Sequence, residues 1–162
     1  MILEKRRAGS KINTDILIKI VKDIKKNKQK ALLKYEKKFS KNNKIKTSKK
    51  EINKSIKSLN PKIKKAIDFA VVRIFKFHSE QIKNRKNIYY KDKYKNILEY
   101  RNVPIDSVGI YVPGNLPSTL LMNSIPAKLA KVKRIVLAAP KINGNLNPAV
   151  LYAAKKVGIN EI

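Results

Sequence analysis

The chain has 162 residues, of which 43% are hydrophobic, and it carries a formal net charge of +28. This length suits one domain or a small domain with part of another, and the hydrophobic content is higher than in chains that are disordered by composition. The absence of cysteine excludes disulfides and thiolate metal sites, and no apolar run approaches the roughly 18 residues of a membrane-spanning helix.

Residues 1–104 are predicted to form a helical amino-terminal region. Asn13, Thr14 and Asp15 are candidate caps for a first helix, whose apolar residues recur at helical spacing: Ile16, Leu17, Ile20, Val21 and Ile24. A second helix is expected to direct four side chains inward, namely Ala31, Leu32, Tyr35 and Phe39.

Two further helices are predicted from their start signals. Ser48 and Glu51 have the spacing of a capping box, in which each side chain bonds the other residue's backbone N–H. Asn60 and Pro61 begin the longest helix, because proline at the first helical position loses no intrahelical bond. Its predicted buried stripe is Ile63, Ile67, Ala70, Ile74, Phe77 and Gln81. Residues 88–101 then change to β-forming types around a polar turn, which predicts a short β ribbon.

Residues 105–162 have a different pattern, which predicts an α/β fold. A strand at 107–112, a helix at 117–132, a strand at 134–138 and a helix at 148–157 form a β-α-β-α series. Pro126 is expected to kink or interrupt the first of these helices, Gly158 to cap the second, and 160–162 to begin another strand. We therefore predict the first βαβα of a Rossmann-like parallel sheet, incomplete, so that a partner chain completes it or the chain is a truncated form of a larger protein.

The turn after the first parallel strand is the candidate ligand site. Tyr111 ends that strand, Pro113 and Gly114 break it, and the following helix begins at Pro117 with Ser118 available as a cap or anion contact. Ligands of open α/β sheets bind outside the carboxyl ends of the strands, and a tyrosine ring there suits a cofactor ring or ribose. A plain connection between strand and helix is the alternative, since the dinucleotide fingerprint and the P-loop are both absent.

Three segments carry a family resemblance: VGIYVPGN at 108–115, PSTLLMNSIPAKLAKVKRIVLAAP at 117–140 and NPAVLYAAKKVGINEI at 147–162. Together they resemble histidinol dehydrogenase, the zinc- and NAD-dependent enzyme that makes histidine from histidinol. The pattern extends more thinly upstream, through KALLKYEKKF at 30–39 and the helix that ends at 78–81. Family members are usually more than twice as long, so the resemblance implies an amino-terminal portion.

The resemblance implies that NAD is contacted by Tyr111, with Pro113 and Gly114 in the same motif. The family usually has a second glycine and a longer loop here, which this chain lacks. It implies two successive hydride transfers through an aldehyde, a zinc ion that holds the substrate, and a homodimer. The family's catalytic and zinc-binding residues lie in segments beyond Ile162, so no catalytic residue and no metal ligand is expected here. The isolated chain is expected to be inactive.

Two other functions stay open on the sequence alone. The chain has 33 lysines and 6 arginines, and nucleic-acid sites favour clustered arginine with exposed aromatic residues. We therefore interpret the lysines as a solvated surface rather than as a nucleic-acid-binding site, although a nucleic-acid-binding protein stays the first alternative. The second alternative is an interaction module that completes a separately encoded carboxyl-terminal half. His78, the sole histidine, is expected to have a structural or surface role, and Met122 to lie in the core. Residues 1–7 lack the apolar segment of a secretory signal, so we expect a cytoplasmic protein with no membrane partner.

Overall fold

The computed structural model describes residues 14–83, 85–141 and 144–162. The predicted cap at Asn13 and the charged segment 1–7 lie outside the described residues. The chain forms two compact units, Met1–Ile45 and Lys46–Ile162. This division differs from the domain boundary between 104 and 105 that the sequence suggested, and that boundary stays a prediction. None of the helices in the described ranges has the length and hydropathy of a membrane-spanning segment.

The first unit contains helix α1, Thr14–Ser40, which is broken at Lys28. Lys28 has φ 47° and ψ −125°, so the two predicted helices are confirmed as two segments that meet at a kink. The Asp23 carboxylate links them, because it accepts bonds from Lys34 Nζ at 3.0 Å and Tyr35 Oη at 2.8 Å. Together with the Asn27 amide, which contributes most, these bonds lower the pKa of Asp23 to about 2.

The predicted inward side of the second segment is only partly correct. Ala31 is buried, but Leu32 and Phe39 are exposed. Phe39 lies beside the Tyr35 ring, with centroids 6.0 Å apart. Helical spacing placed these apolar residues on one side of the helix, but it does not require a neighbouring element to cover all of them.

The second unit begins with two helices that start as predicted. Helix α2, Lys49–Lys57, has the complete capping box, in which the Ser48 N–H donates to Glu51 Oε2 at 2.7 Å. Helix α3, Pro61–Lys83, begins after Asn60, whose side-chain oxygen accepts the Lys62 N–H at 2.8 Å. These caps satisfy backbone donors that lack an intrahelical partner.

The predicted buried stripe of α3 is wrong at both ends. Ile67 is buried and Ile74 packs against the core, whereas Ile63 and Phe77 are exposed. Val71, which the stripe omitted, packs against the core instead. The reason is that, within the described ranges, α3 packs mainly against α4 and α5, so the side that meets these two helices is the covered one.

A two-stranded antiparallel ribbon follows α3. Strand β1, Ile88–Lys91, pairs with β2, Ile97–Tyr100, and every residue in both strands is exposed. The Asp92 carboxylate holds the turn, because it accepts the backbone N–H groups of Tyr94 and Asn96, each at 2.8 Å. The predicted hairpin at 88–101 is therefore confirmed.

The β-α-β-α series is also confirmed. Strand β3, Ser107–Tyr111, pairs in parallel with β4, Arg134–Ala138, and they are connected by helix α4, Pro117–Leu129. Helix α5, Pro148–Lys156, leads to Glu161, which forms a parallel bridge with Val136 and so begins the expected third strand. Helix α4 runs on through Pro126, so the expected interruption at this residue is wrong.

The core of the second unit lies between the parallel sheet and helices α3, α4 and α5. Its most buried large side chains are Leu120, Leu121, Val112 and Val150, while the equally buried Leu151 lies in a neighbouring cluster with Ile52 and Ile56 of α2. Met122 is 53% exposed, so its expected place in the core is wrong. It lies on the side of α4 that faces away from these residues. The Tyr152 hydroxyl donates to Asp68 at 3.0 Å and Lys156 pairs with the same carboxylate at 2.9 Å, which ties α5 to α3.

Helices α4 and α5 end in the same hydrogen-bonding motif but with different residues at the left-handed position. In α5 that residue is Gly158, with φ 72°, as predicted, and in α4 it is Lys131, with φ 64°. In each case the next residue's N–H bonds to a carbonyl five positions earlier: Val132 to Ala127 at 3.1 Å and Ile159 to Ala154 at 2.9 Å. This is the Schellman arrangement, in which glycine has no Cβ penalty.

We therefore expect Lys131→Gly to raise the free energy of unfolding by about 0.5–1 kcal/mol, because it relieves left-handed strain at an exposed cap. The reciprocal control is Gly158→Ala, which should lower it by about 1 kcal/mol. Urea denaturation followed by circular dichroism measures both changes. A lower stability for Lys131→Gly would contradict the presence of strain at this cap.

Candidate functional site

The candidate site lies where the parallel strands end. Tyr111 is the last residue of β3 and is paired in register with Ala138, the last residue of β4. The backbone N–H of Val112 donates to the Ala138 carbonyl at 2.9 Å, which is the final bond of this ladder. Beyond it both strands end, and this is the edge of a parallel sheet at which α/β proteins bind ligands.

Tyr111 is directed away from the core. Its flanking residues Ile110 and Val112 are 6% and 0% exposed, whereas Tyr111 is 67% exposed. Alternate residues of a strand point to opposite faces of the sheet, so the predicted alternation is confirmed. The aromatic ring and hydroxyl of Tyr111 are thus available to a ligand rather than committed to packing.

A tight turn connects Tyr111 to helix α4. The Leu116 N–H donates to the Pro113 carbonyl at 3.1 Å, which places Gly114 and Asn115 at the centre of a β-turn. The sequence-predicted residues Tyr111, Pro113 and Gly114 are therefore consecutive parts of one strand-to-helix connection. Their contact with a cofactor stays a prediction.

The start of α4 has no side-chain cap. Leu116 occupies the N-cap position, where it offers no side-chain acceptor, and Pro117 follows as the first helical residue. Ser118 and Thr119 lie in the first turn as expected, but the capping role suggested for Ser118 is wrong because the cap lies two residues earlier. Open backbone N–H groups and the helix dipole favour a negatively charged group here.

The end of β4 is a part of this edge that the sequence reasoning missed. Residues 134–138 were predicted only as a strand, whereas Ala138 is paired with Tyr111 at the end of β3 and leads into Ala139 and Pro140. The predicted β-α-β order indicated this position, because parallel pairing through a crossover helix brings the carboxyl ends of successive strands to one edge. Ala138, which is exposed and paired with Tyr111, adds only a methyl group beside the tyrosine, whereas Ala139 packs against the core.

His78 lies apart from this edge, near the end of α3. Its Nδ1 is 2.6 Å from Gln81 Oε1, and its ring meets the Phe77 ring edge to face. The described residues include no group of three histidine, cysteine, aspartate or glutamate side chains that could hold a metal ion. The donor set in this part of the chain therefore does not fit a zinc site.

Comparisons with known proteins cover nearly the whole chain. Residues 4–162 match the family model described as histidinol dehydrogenase. A histidinol dehydrogenase of Pelagibacter ubique is 56% identical over 164 residues, which cover 99% of this chain and 38% of that protein. A second, from Carboxydothermus hydrogenoformans, is 32% identical over 171 residues, with 99% and 40% covered.

A solved structure agrees with these sequence matches. The crystal structure of histidinol dehydrogenase from Elizabethkingia anophelis superposes with a TM-score of 0.86 at 35% identity, over 96% of this chain and 37% of that one. The chain thus spans about two fifths of the length of the relatives that it matches. The resemblance drawn from residues 108–162 extends through the helical region as well.

Proposed function

The chain belongs to the histidinol dehydrogenase family, and on that premise we propose that it serves in the NAD-dependent oxidation of L-histidinol to L-histidine. Its own contribution is the cofactor-binding edge at the carboxyl ends of β3 and β4. The observation that carries this assignment is the position of Tyr111, exposed at the end of a parallel strand beside an uncapped helix start.

Each part of this edge has a separate role toward NAD. The Tyr111 ring offers an apolar face and a polar tip for a ribose or nicotinamide ring. The turn at Pro113 and Gly114 brings backbone close to the ligand, and the first turn of α4 offers N–H groups to a phosphate. NAD supplies the hydride acceptor when bound, while these residues bind and orient it.

The zinc ion of the family requires ligands from another part of the enzyme. The described residues do not provide a metal-binding group, so no step of the reaction is assigned to zinc through this chain. Substrate binding and catalysis accordingly depend on the remaining part of a histidinol dehydrogenase, either in the same polypeptide or in a complementing chain. A homodimer in the cytoplasm is the setting we propose for the assembled enzyme.

Replacing Tyr111 tests the cofactor-binding role. In a fusion of this chain, at Ile162, to the remainder of the Pelagibacter relative, Tyr111→Ala should weaken NAD binding about five- to thirty-fold, because an aromatic contact and a hydrogen bond are lost. Calorimetric titration of NAD measures the affinity. Tyr111→Phe separates the ring from the hydroxyl, and Tyr94→Ala, at an exposed ribbon turn, is the matched control. Equal NAD affinities for wild type and Tyr111→Ala would contradict a contact between Tyr111 and the cofactor and leave Tyr111 with a structural role in the sheet.

A further inference from the structure

The β1–β2 ribbon has two chemically different faces. The register pairs Ile88 with Tyr100 and Tyr90 with Leu98, and these four residues lie on one side of the ribbon, which we name the apolar ribbon face. The opposite side holds two charged residues beside two apolar ones: Tyr89, Lys91, Ile97 and Glu99. The ribbon is therefore amphipathic, which is typical of an element whose apolar face packs against another surface.

No described residue covers the apolar ribbon face. Its four side chains are between 56% and 62% exposed. An isolated two-stranded ribbon is marginally stable in water, and a contiguous exposed apolar patch of this kind marks an interaction surface. Burial of this face would remove apolar area from water and would hold the ribbon in its paired form.

The charges around the ribbon restrict what can cover it. Its two acidic groups are already engaged, since Asp92 binds the turn and Glu99 pairs with Arg101 at 2.5 Å. The lysine side chains of the same segment are exposed: Lys86, Lys91, Lys93 and Lys95. A second copy of the ribbon would bring the same cations against them, in a chain whose net charge is +28. The charge pattern instead fits an apolar surface with a rim of carboxylates.

We propose that the apolar ribbon face docks the part of the histidinol dehydrogenase polypeptide that lies outside the matched region, through an apolar patch rimmed by carboxylates. This inference rests on the proposed function. The solved relative provides ample chain for such a surface, because the match covers 37% of it. The ribbon then acts as a docking element for the remaining enzyme.

Two neighbouring residues of β2 provide a matched test. Leu98 lies on the apolar ribbon face and Ile97 on the opposite face, with exposures of 62% and 57%. We would measure binding of this chain to the remainder of the Pelagibacter relative, expressed separately, by calorimetry. Leu98→Ser should weaken binding about ten- to a hundred-fold, the effect of one lost buried leucine, and Ile97→Ser less than about threefold. Circular dichroism and amide exchange of each free variant check that the ribbon still forms.

A second measurement does not depend on any variant. In the wild-type complex, ribbon amides at 88–91 and 97–100 should exchange more slowly than in the free chain. Unchanged exchange, equal binding by the two serine variants, or no association at all would overturn the docking assignment. Histidinol oxidation by the complex is assayed separately. Binding without oxidation would contradict the proposed function and leave the docking assignment supported.

Discussion

Fused at Ile162 to the remainder of the Pelagibacter relative, the chain should form NADH from histidinol and NAD, whereas the chain alone should form none. We expect NADH formation only in the fusion, because the described residues of this chain hold no metal-binding group and its single histidine is hydrogen-bonded to Gln81. NADH absorbance follows the reaction. The chain alone should also release zinc completely on dialysis, which metal analysis of the dialysed protein measures.

The control for this experiment is the remainder of the relative without the present chain. If this chain supplies the cofactor-binding edge and the remainder supplies catalysis, the remainder alone also fails to reduce NAD. Turnover by the purified chain alone would contradict the placement of catalysis outside it. Turnover by the remainder alone would show that the proposed cofactor-binding edge is dispensable.

The second large effect concerns stability. Leu120→Ala should lower the free energy of unfolding of the second unit by about 2–5 kcal/mol, since Leu120 is fully buried and truncation leaves a cavity. Urea denaturation measures the change. Leu120→Met, which keeps most of the volume, should cost less than about 1.5 kcal/mol.

Met122→Ala provides a matched control two residues away on the same helix. Because the Met122 side chain is 53% exposed, its truncation should change stability by less than about 0.5 kcal/mol. Equal costs at the two positions would contradict the assigned orientation of α4. A loss near 5 kcal/mol for Met122→Ala would indicate that another surface covers this side of the helix.

The sequence predicted the elements of the second unit well because their signals are local. The capping box at Ser48 and Glu51, the start of α3 at Pro61 and the glycine cap at 158 each depend on residues a few positions apart. The alternation along β3 likewise reports which residues face a covered side of the sheet. Such signals need no knowledge of distant contacts.

The errors have a common physical origin. Phe39, Phe77 and Met122 were assigned inward positions from their apolar character and spacing, yet all three are exposed. Periodicity identifies the apolar face of a helix, but burial also requires another element to lie against it. That information is contained in tertiary packing, which depends on residues far apart in the chain.

Part of the candidate site could be predicted from the sequence. Tyr111, Pro113 and Gly114 form one local motif, so their place at the end of β3 could be predicted. The contribution of Ala138 depends on the parallel pairing of β3 and β4 across an intervening helix. The predicted β-α-β order implied this pairing, but no local motif near 138 marks the residue as part of a site.

The most direct test of the central claim is the dependence of histidinol oxidation on NAD concentration in the fused enzyme with and without Tyr111→Ala. If Tyr111 contacts the cofactor, the apparent KM for NAD should rise about five- to thirty-fold while the KM for histidinol stays within about twofold. An unchanged KM for NAD in an active, folded Tyr111→Ala enzyme would contradict the assignment of this edge as the cofactor-binding part of the chain.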